Sequence, residues 1–341
     1  MQRIYFDNAA TTPLAPEVLE AMMPYLTEKF GNPSSIYSYG RETRLAIEQA
    51  RKSVAKNLGA KPADATLHTV THLAKLHNLK LSFVQILPNG HIDMDHLAAL
   101  LAATTEKTIV TIMHANNEIG TMIDIAAVGQ LCKQYGAYFH SDTVQTVGHF
   151  PFELSQLPVD FITGAGHKFH GPKGVGILYI NENVKISPLV HGGSQERNMR
   201  AGTENLYGIV GFAKALELAT EKHEEERAYI QSLKQYLHDQ LIAKIPSVSF
   251  NGDPFGRSLY NLLSVNFPKN EKTEMILFNL DMHHVCASGG SACSSGAQQG
   301  SHVINALNKG SEIVTVRFSF SKQNTIAEID QVVTALLTML N

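Results

Sequence analysis

Cysteine is scarce in this chain, which holds only Cys132, Cys286 and Cys293. An odd, low count without CxxC spacing argues against a disulfide framework and against a structural zinc site, and leaves any functional cysteine as a free thiol. No run approaches the roughly 18 apolar residues that a membrane span requires. The first residues, MQRIYFDNAATTPLAPE, lack the apolar core of a signal peptide, so a cytoplasmic location is expected. Neither sign of charge is in excess. Twenty-eight Lys plus Arg against 31 Asp plus Glu give a formal net charge of -3, which suggests neither a nucleic-acid nor a membrane partner. Sixteen histidines are present, but they are scattered. Near-neighbours such as His167 with His170 lack further ligands at helical spacing, so no metal is expected.

Its 341 residues, 44% hydrophobic and 17% charged, suit one large domain plus a smaller one, at roughly 100–200 residues each. There is no internal repeat or low-complexity tract. Between 81 and 180, short β-branched runs alternate with amphipathic stretches. The expected strands are LSFVQIL (81–87), TIVTIMHA (108–115), AYFHSD (137–142), DFITGAG (160–166) and GVGILYI (174–180). Expected helices lie between them at 94–104 and 125–136. Such alternation signals right-handed βαβ units and a mostly parallel sheet with helices on both faces, an α/β fold. From Glu204 to about Ile245 the pattern is helical and strongly charged, as for a long, partly solvated helix joining two domains. The remainder reads as a smaller α+β domain: strands VSFNG and LLSVNF, helix EMILFNLDM, a Gly/Ser-rich loop (287–300), strand VTVRFSF and a final helix at 326–340.

Three strand ends carry polar residues that packing alone does not explain: His114-Ala115-Asn116-Asn117-Glu118, His140-Ser141-Asp142-Thr143-Val144-Gln145 and Gly166-His167-Lys168. In a parallel sheet, loops at the strands' carboxyl ends gather at one edge. That brings Asn117, Asp142, Gln145, His167 and Lys168 together. Burying an aspartate and a lysine beside apolar strands costs several kcal/mol unless they pair with each other or with a ligand. One joint use is well known. The lysine amine binds pyridoxal phosphate covalently while the carboxylate keeps the ring nitrogen protonated, and partial desolvation would lower the lysine's pKa.

The stretches YFDNAATTPL, FGNPSSIYSYGRETRLAIEQAR, IMHANNEIGT, FHSDTVQTVG, GHKFHGPKGVG, HGGSQERNMRAGTEN and SGGSACSSGAQQGSHV resemble successive blocks of the cysteine desulfurases. These are pyridoxal-phosphate enzymes of fold-type I, related to the class V aminotransferases. The blocks occur in the family's order over nearly the whole chain, and the longer loop around Cys293 is similar to that of the group I branch. The resemblance implies residues 1–15 packing with the small domain, a large cofactor domain at 16–240 and a small domain at 241–341. It implies a homodimer that takes sulfur from L-cysteine, leaves L-alanine, and hands the sulfur to an iron–sulfur scaffold or a tRNA-thiolation enzyme. Lys168 would be the cofactor lysine and Asp142 the ring-nitrogen partner. Gln145 and Asn117 would hydrogen-bond the cofactor and substrate. His167 and, across the dimer, Thr203 would reach the phosphate, and Arg317 would grip the substrate carboxylate. Cys293 would be the nucleophile that carries the persulfide, in a composition suited to an exposed loop. Cys132 and Cys286 are expected as packing cysteines.

The chain also departs from the pattern. NLGAKPAD (57–64) runs straight into ATLHTVTHLAKLHN (65–78), without the phosphate-binding turn and ring-stacking histidine that the family carries between them, a gap on the order of 30 residues. Ala165 stands at a usual serine and Tyr37 at a common histidine. Three readings therefore compete: an active desulfurase (or the related selenocysteine lyase), a catalytically impaired homodimer serving as a binding or scaffold protein, and a transaminase, which would need no Cys293.

Overall fold

A computed structural model describes residues 3–59, 79–221, 223–289, 301–307 and 312–340. Nine strands lie in these residues. The central sheet orders β2 (Ile109–Met113), β3 (Tyr138–Asp142), β4 (Phe161–Ala165) and β5 (Gly176–Ile180) side by side. β2, β3 and β4 run parallel, and β5 closes the edge antiparallel. α1 (Pro16–Thr27), α2 (Ser38–Asn57), α3 (Met94–Ala102), α4 (Ile125–Gln134) and α5 (Leu206–Glu221) accompany it. Side-chain caps start two of them, Asp93 accepting from the His96 amide and Asp124 from the Ala127 amide. Val18, Leu97, Val128, Phe139, Ile162, Phe212 and Leu216 meet in one apolar core, and Cys132 is buried within it.

A second core forms around an antiparallel sheet of β6 (Ser249–Phe250), β7 (Leu262–Pro268) and β9 (Ile313–Ser319). α6 (His223–Lys244) contributes Ile230, Leu233, Leu237 and Leu241 to it, and α10 (Ile326–Leu340) contributes Ile329, Val332, Val333 and Leu336. Three short helices complete this region: α7 (Glu271–Glu274), α8 (Ile276–Met282) and α9 (His302–Ala306). The N-terminal segment joins the same core. β1 (Ile4–Tyr5) pairs in parallel with β8 (Val285–Cys286), and Phe6 packs edge-on against Phe318 and Phe320. No helix among the described residues is long and apolar enough to cross a membrane.

The expected strand at 81–87 does not form. Only an isolated antiparallel bridge, Ile86 with Ile92, stands there, and Phe83 is 79% exposed. The alternation of LSFVQIL resembles a strand, but a strand persists only with a hydrogen-bonding neighbour. Among the described residues, β2 likewise has no strand on its outer side, where Ile109 is 53% exposed.

Candidate active site

The site begins where β3 and β4 end together. Asp142 is the last residue of β3 and pairs in register with Thr163 of β4. Its Oδ1 accepts the Val144 amide at 2.9 Å, which turns the chain sharply after the strand. Three to five residues past Thr163, a single 3-10 turn (Gly166–Lys168) carries His167 and Lys168. The β4–β5 hairpin brings these backbones close: a Cβ on Gly176 would lie 2.4 Å from the Gly164 carbonyl oxygen. His170 just beyond sits in the left-handed region (φ 65°), a strained conformation for a residue with a Cβ. The Thr12 hydroxyl accepts its amide at 2.7 Å and holds it there.

Lys168 Nζ donates to the carbonyls of Ala9 at 2.7 Å and Ala10 at 2.8 Å. Gln145 Nε2 donates to the same Ala9 carbonyl at 3.1 Å. The amine and the amide therefore meet on one oxygen, at the edge where Asp142 closes β3. His167 is half-buried, with Nδ1 3.1 Å from the Thr11 hydroxyl, and burial followed by the neighbouring charges of Lys168 and Lys173 lowers its pKa. Burial lowers the pKa of the surrounding imidazoles. Burial takes His114 to about 4, with Nδ1 3.0 Å from Thr146 Oγ1, and lowers His140, whose Nδ1 lies 2.7 Å from Thr111 Oγ1.

Arg317 is wholly buried and reaches the site from β9. Its Nη2 pairs with Asp7 Oδ1 at 2.7 Å and its Nη1 donates to the Asn117 carbonyl at 2.8 Å. This places the Asn117 turn against the arginine. Thr203 stands apart on an exposed loop before α5. Cys293 lies outside the described residues, but both flanks of its stretch are at the site. Ser288 forms a bridge with Arg317, and Ser301 donates to the buried carboxylate of Glu118, next to Asn117. Cys286 is half-buried on β8, and burial raises its thiol, as it does that of Cys132, which is pushed up to about 11.

Asp7 and the Ala9–Ala10 carbonyls went unassigned in the sequence reading. The only signal for them was their place in the YFDNAATTPL block. The ring end of pyridoxal phosphate suits the residues present: an amine and an amide meet on one carbonyl at the edge where Asp142 ends β3, and two neutral carbonyls are among the amine's partners.

The aminotransferase class-V family model matches residues 4–71 and 62–332. The cysteine desulfurase IscS of Dictyoglomus turgidum is 41% identical over 367 aligned residues, covering 96% of this chain and 92% of that protein. That of Methanosarcina thermophila is 39% identical, covering 96% and 90%. Both alignments are longer than the 341-residue chain, and the two family matches meet within 62–71. This chain is therefore internally shorter than those relatives, and the break falls where the sequence reading locates the missing turn. Among solved structures, a NifS-like protein superposes with a TM-score of 0.89 at 33% identity, and one from Rickettsia africae with 0.88 at 30%, each over 99% of both chains. The chain belongs to the aminotransferase class-V family and, within it, to the cysteine desulfurases.

Proposed function

We propose that this protein is a pyridoxal-phosphate-dependent cysteine desulfurase, converting L-cysteine to L-alanine and taking up the sulfur as a persulfide on Cys293. The observation that carries this reading is the meeting of the Lys168 amine and the Gln145 amide on the Ala9 carbonyl, at the strand edge closed by Asp142. When bound, the cofactor supplies an electron sink for bonds at the substrate α-carbon. Lys168 would hold it and move protons at Nζ. Asp142 would face the ring nitrogen, and Gln145 and Asn117 its oxygen. His167 and Thr203 would approach the phosphate. Arg317 would orient the substrate carboxylate, the task a planar fork performs best. The Cys293 thiolate would attack the substrate sulfur. A sulfur–sulfur bond forms as the carbon–sulfur bond breaks, and the carbon left behind takes a proton to become L-alanine.

The anchoring of Ser288 at Arg317 and of Ser301 at Glu118 supports the reach of Cys293, since both flanks of its stretch begin at the site. A homodimer is supported by an apolar face of α1, where Leu19, Met23 and Leu26 are each more than 40% exposed and Phe30 beyond them is 72% exposed. The sulfur acceptor would be an iron–sulfur scaffold or a tRNA-thiolation protein, and the working location the cytoplasm. The scaffold reading is not favoured, because an amine and an amide held on one carbonyl at the strand edge have no use in a protein that only docks.

Sulfide release from L-cysteine by wild type and Cys293→Ser tests the proposal, with an expected fall of about a hundredfold or more in the variant. A variant as fast as wild type would remove the persulfide role. Protein that gains no visible absorbance with added pyridoxal phosphate would return the scaffold reading.

A further inference from the structure

Lys168 is held at its backbone by a residue that no motif identifies. His149 Nε2 lies 2.9 Å from the Lys168 carbonyl oxygen, and His149 Nδ1 lies 3.0 Å from the Tyr260 hydroxyl. A carbonyl can only accept, so Nε2 must carry the hydrogen, and Nδ1 then accepts from the tyrosine. Tyr260 stands just before β7, is buried in the C-terminal core and keeps its proton, since burial raises its pKa. Burial likewise lowers His149 to about 4, so the ring is neutral and adds no charge beside the lysine. The chain around His149 is fixed as well. His223 Nε2 donates to its carbonyl at 2.7 Å, and its amide bonds to the Thr146 carbonyl at 2.9 Å. Gly148 before it has φ 78°, and a Cβ there would lie 2.5 Å from the Phe169 ring. Arg227 lies over the rings of Phe150 at 5.3 Å and Tyr260 at 5.8 Å, closing the outer side of the network.

We propose that His149 is a positioning residue for Lys168: it transmits the placement of the C-terminal core, through the Tyr260 hydroxyl, to the lysine's own peptide unit. The proposal rests on the reading of Lys168 as the cofactor lysine. Its function is geometric. With the carbonyl pinned from one side and Nζ held by Ala9 and Ala10 on the other, the side chain spans two fixed points. Movement of β7 relative to the central sheet would be felt at the amine.

The test uses the full-length protein, His149→Phe, His149→Gln and Tyr260→Phe, with three readouts. Imidazole nitrogen NMR of wild type should show the Nε2–H tautomer for His149. In protein loaded with pyridoxal phosphate, His149→Phe should move the pH midpoint of the visible band by about half a unit or more. It should also lower kcat with L-cysteine by about tenfold and leave KM within about threefold. His149→Gln, which keeps an N–H donor, should recover most of both effects, and Tyr260→Phe should give a weaker form of the His149→Phe result. An Nδ1–H tautomer, or His149→Phe with kcat within about twofold of wild type and an unmoved midpoint, would overturn the proposal. If His149→Phe does not fold, the tautomer measurement and Tyr260→Phe decide by the same criteria. Lys168→Ala separates the two levels. A band lost in Lys168→Ala but indifferent to every His149 variant keeps the lysine's role and sinks the positioning role. A band that survives Lys168→Ala sinks both.

Discussion

Replacing Asp7 by alanine would remove the carboxylate that pairs with the buried Arg317 guanidinium at 2.7 Å. Arg317 is fully buried, and the Asp7 side chain is 19% exposed, 2.7 Å away. Breaking a buried ion pair from one side costs about 3–5 kcal/mol, because the remaining charge keeps its desolvation penalty. The partial exposure of Asp7 and the retained bond from Arg317 to the Asn117 carbonyl at 2.8 Å reduce this, and a loss of about 2–4 kcal/mol is expected. Asp7→Asn keeps an acceptor oxygen and should lose less. Urea unfolding at two salt concentrations is the assay. The difference between wild type and Asp7→Ala should persist at high salt, since a pair removed from solvent is screened little. A double-mutant cycle with Arg317→Met should return a coupling of about 1 kcal/mol or more. An Asp7→Ala protein within about 0.5 kcal/mol of wild type, or a difference that vanishes in salt, would refute the account of Arg317 as an arginine held in place by Asp7.

Two further outcomes follow from buried groups. The folded pKa of His114 is depressed from 6.5 to about 4, so between those values the unfolded chain binds the extra proton. Stability is fully present above pH 6.5 and should fall by about 3 kcal/mol from this group as pH drops toward 4. His114→Asn should flatten that part of a pH series of denaturation midpoints. Gly148→Ala places a Cβ in the Phe169 ring at positive φ and should cost at least about 2 kcal/mol, measured by thermal or urea unfolding.

Local signals carried much of the fold. α10 spans the residues its apolar periodicity marks, 326–340, because that stripe has a core to face. β3 and β4 fall within their expected runs and β7 extends LLSVNF by one residue, for the same reason. The run at 81–87 has an equally good pattern and forms no strand, because pattern describes a face and a strand also needs a partner. The stretch after Glu204, expected as one long connector, is helical on both sides of position 222, and its two parts serve different cores.

The sequence by itself determined which chemistry is on offer: an amine, a carboxylate and an amide at strand ends, in blocks ordered as in one enzyme family. These signals are local, since residues within a few positions of a strand terminus share its edge whatever the rest of the chain does. Only the tertiary structure decided what holds them. Asp7 meets Arg317 across 310 positions, Lys168 meets Ala9 across 159, and Tyr260 meets His149 across 111. Such contacts follow from how two cores dock and from which buried polar groups must then find partners, and no spacing within a short window encodes that.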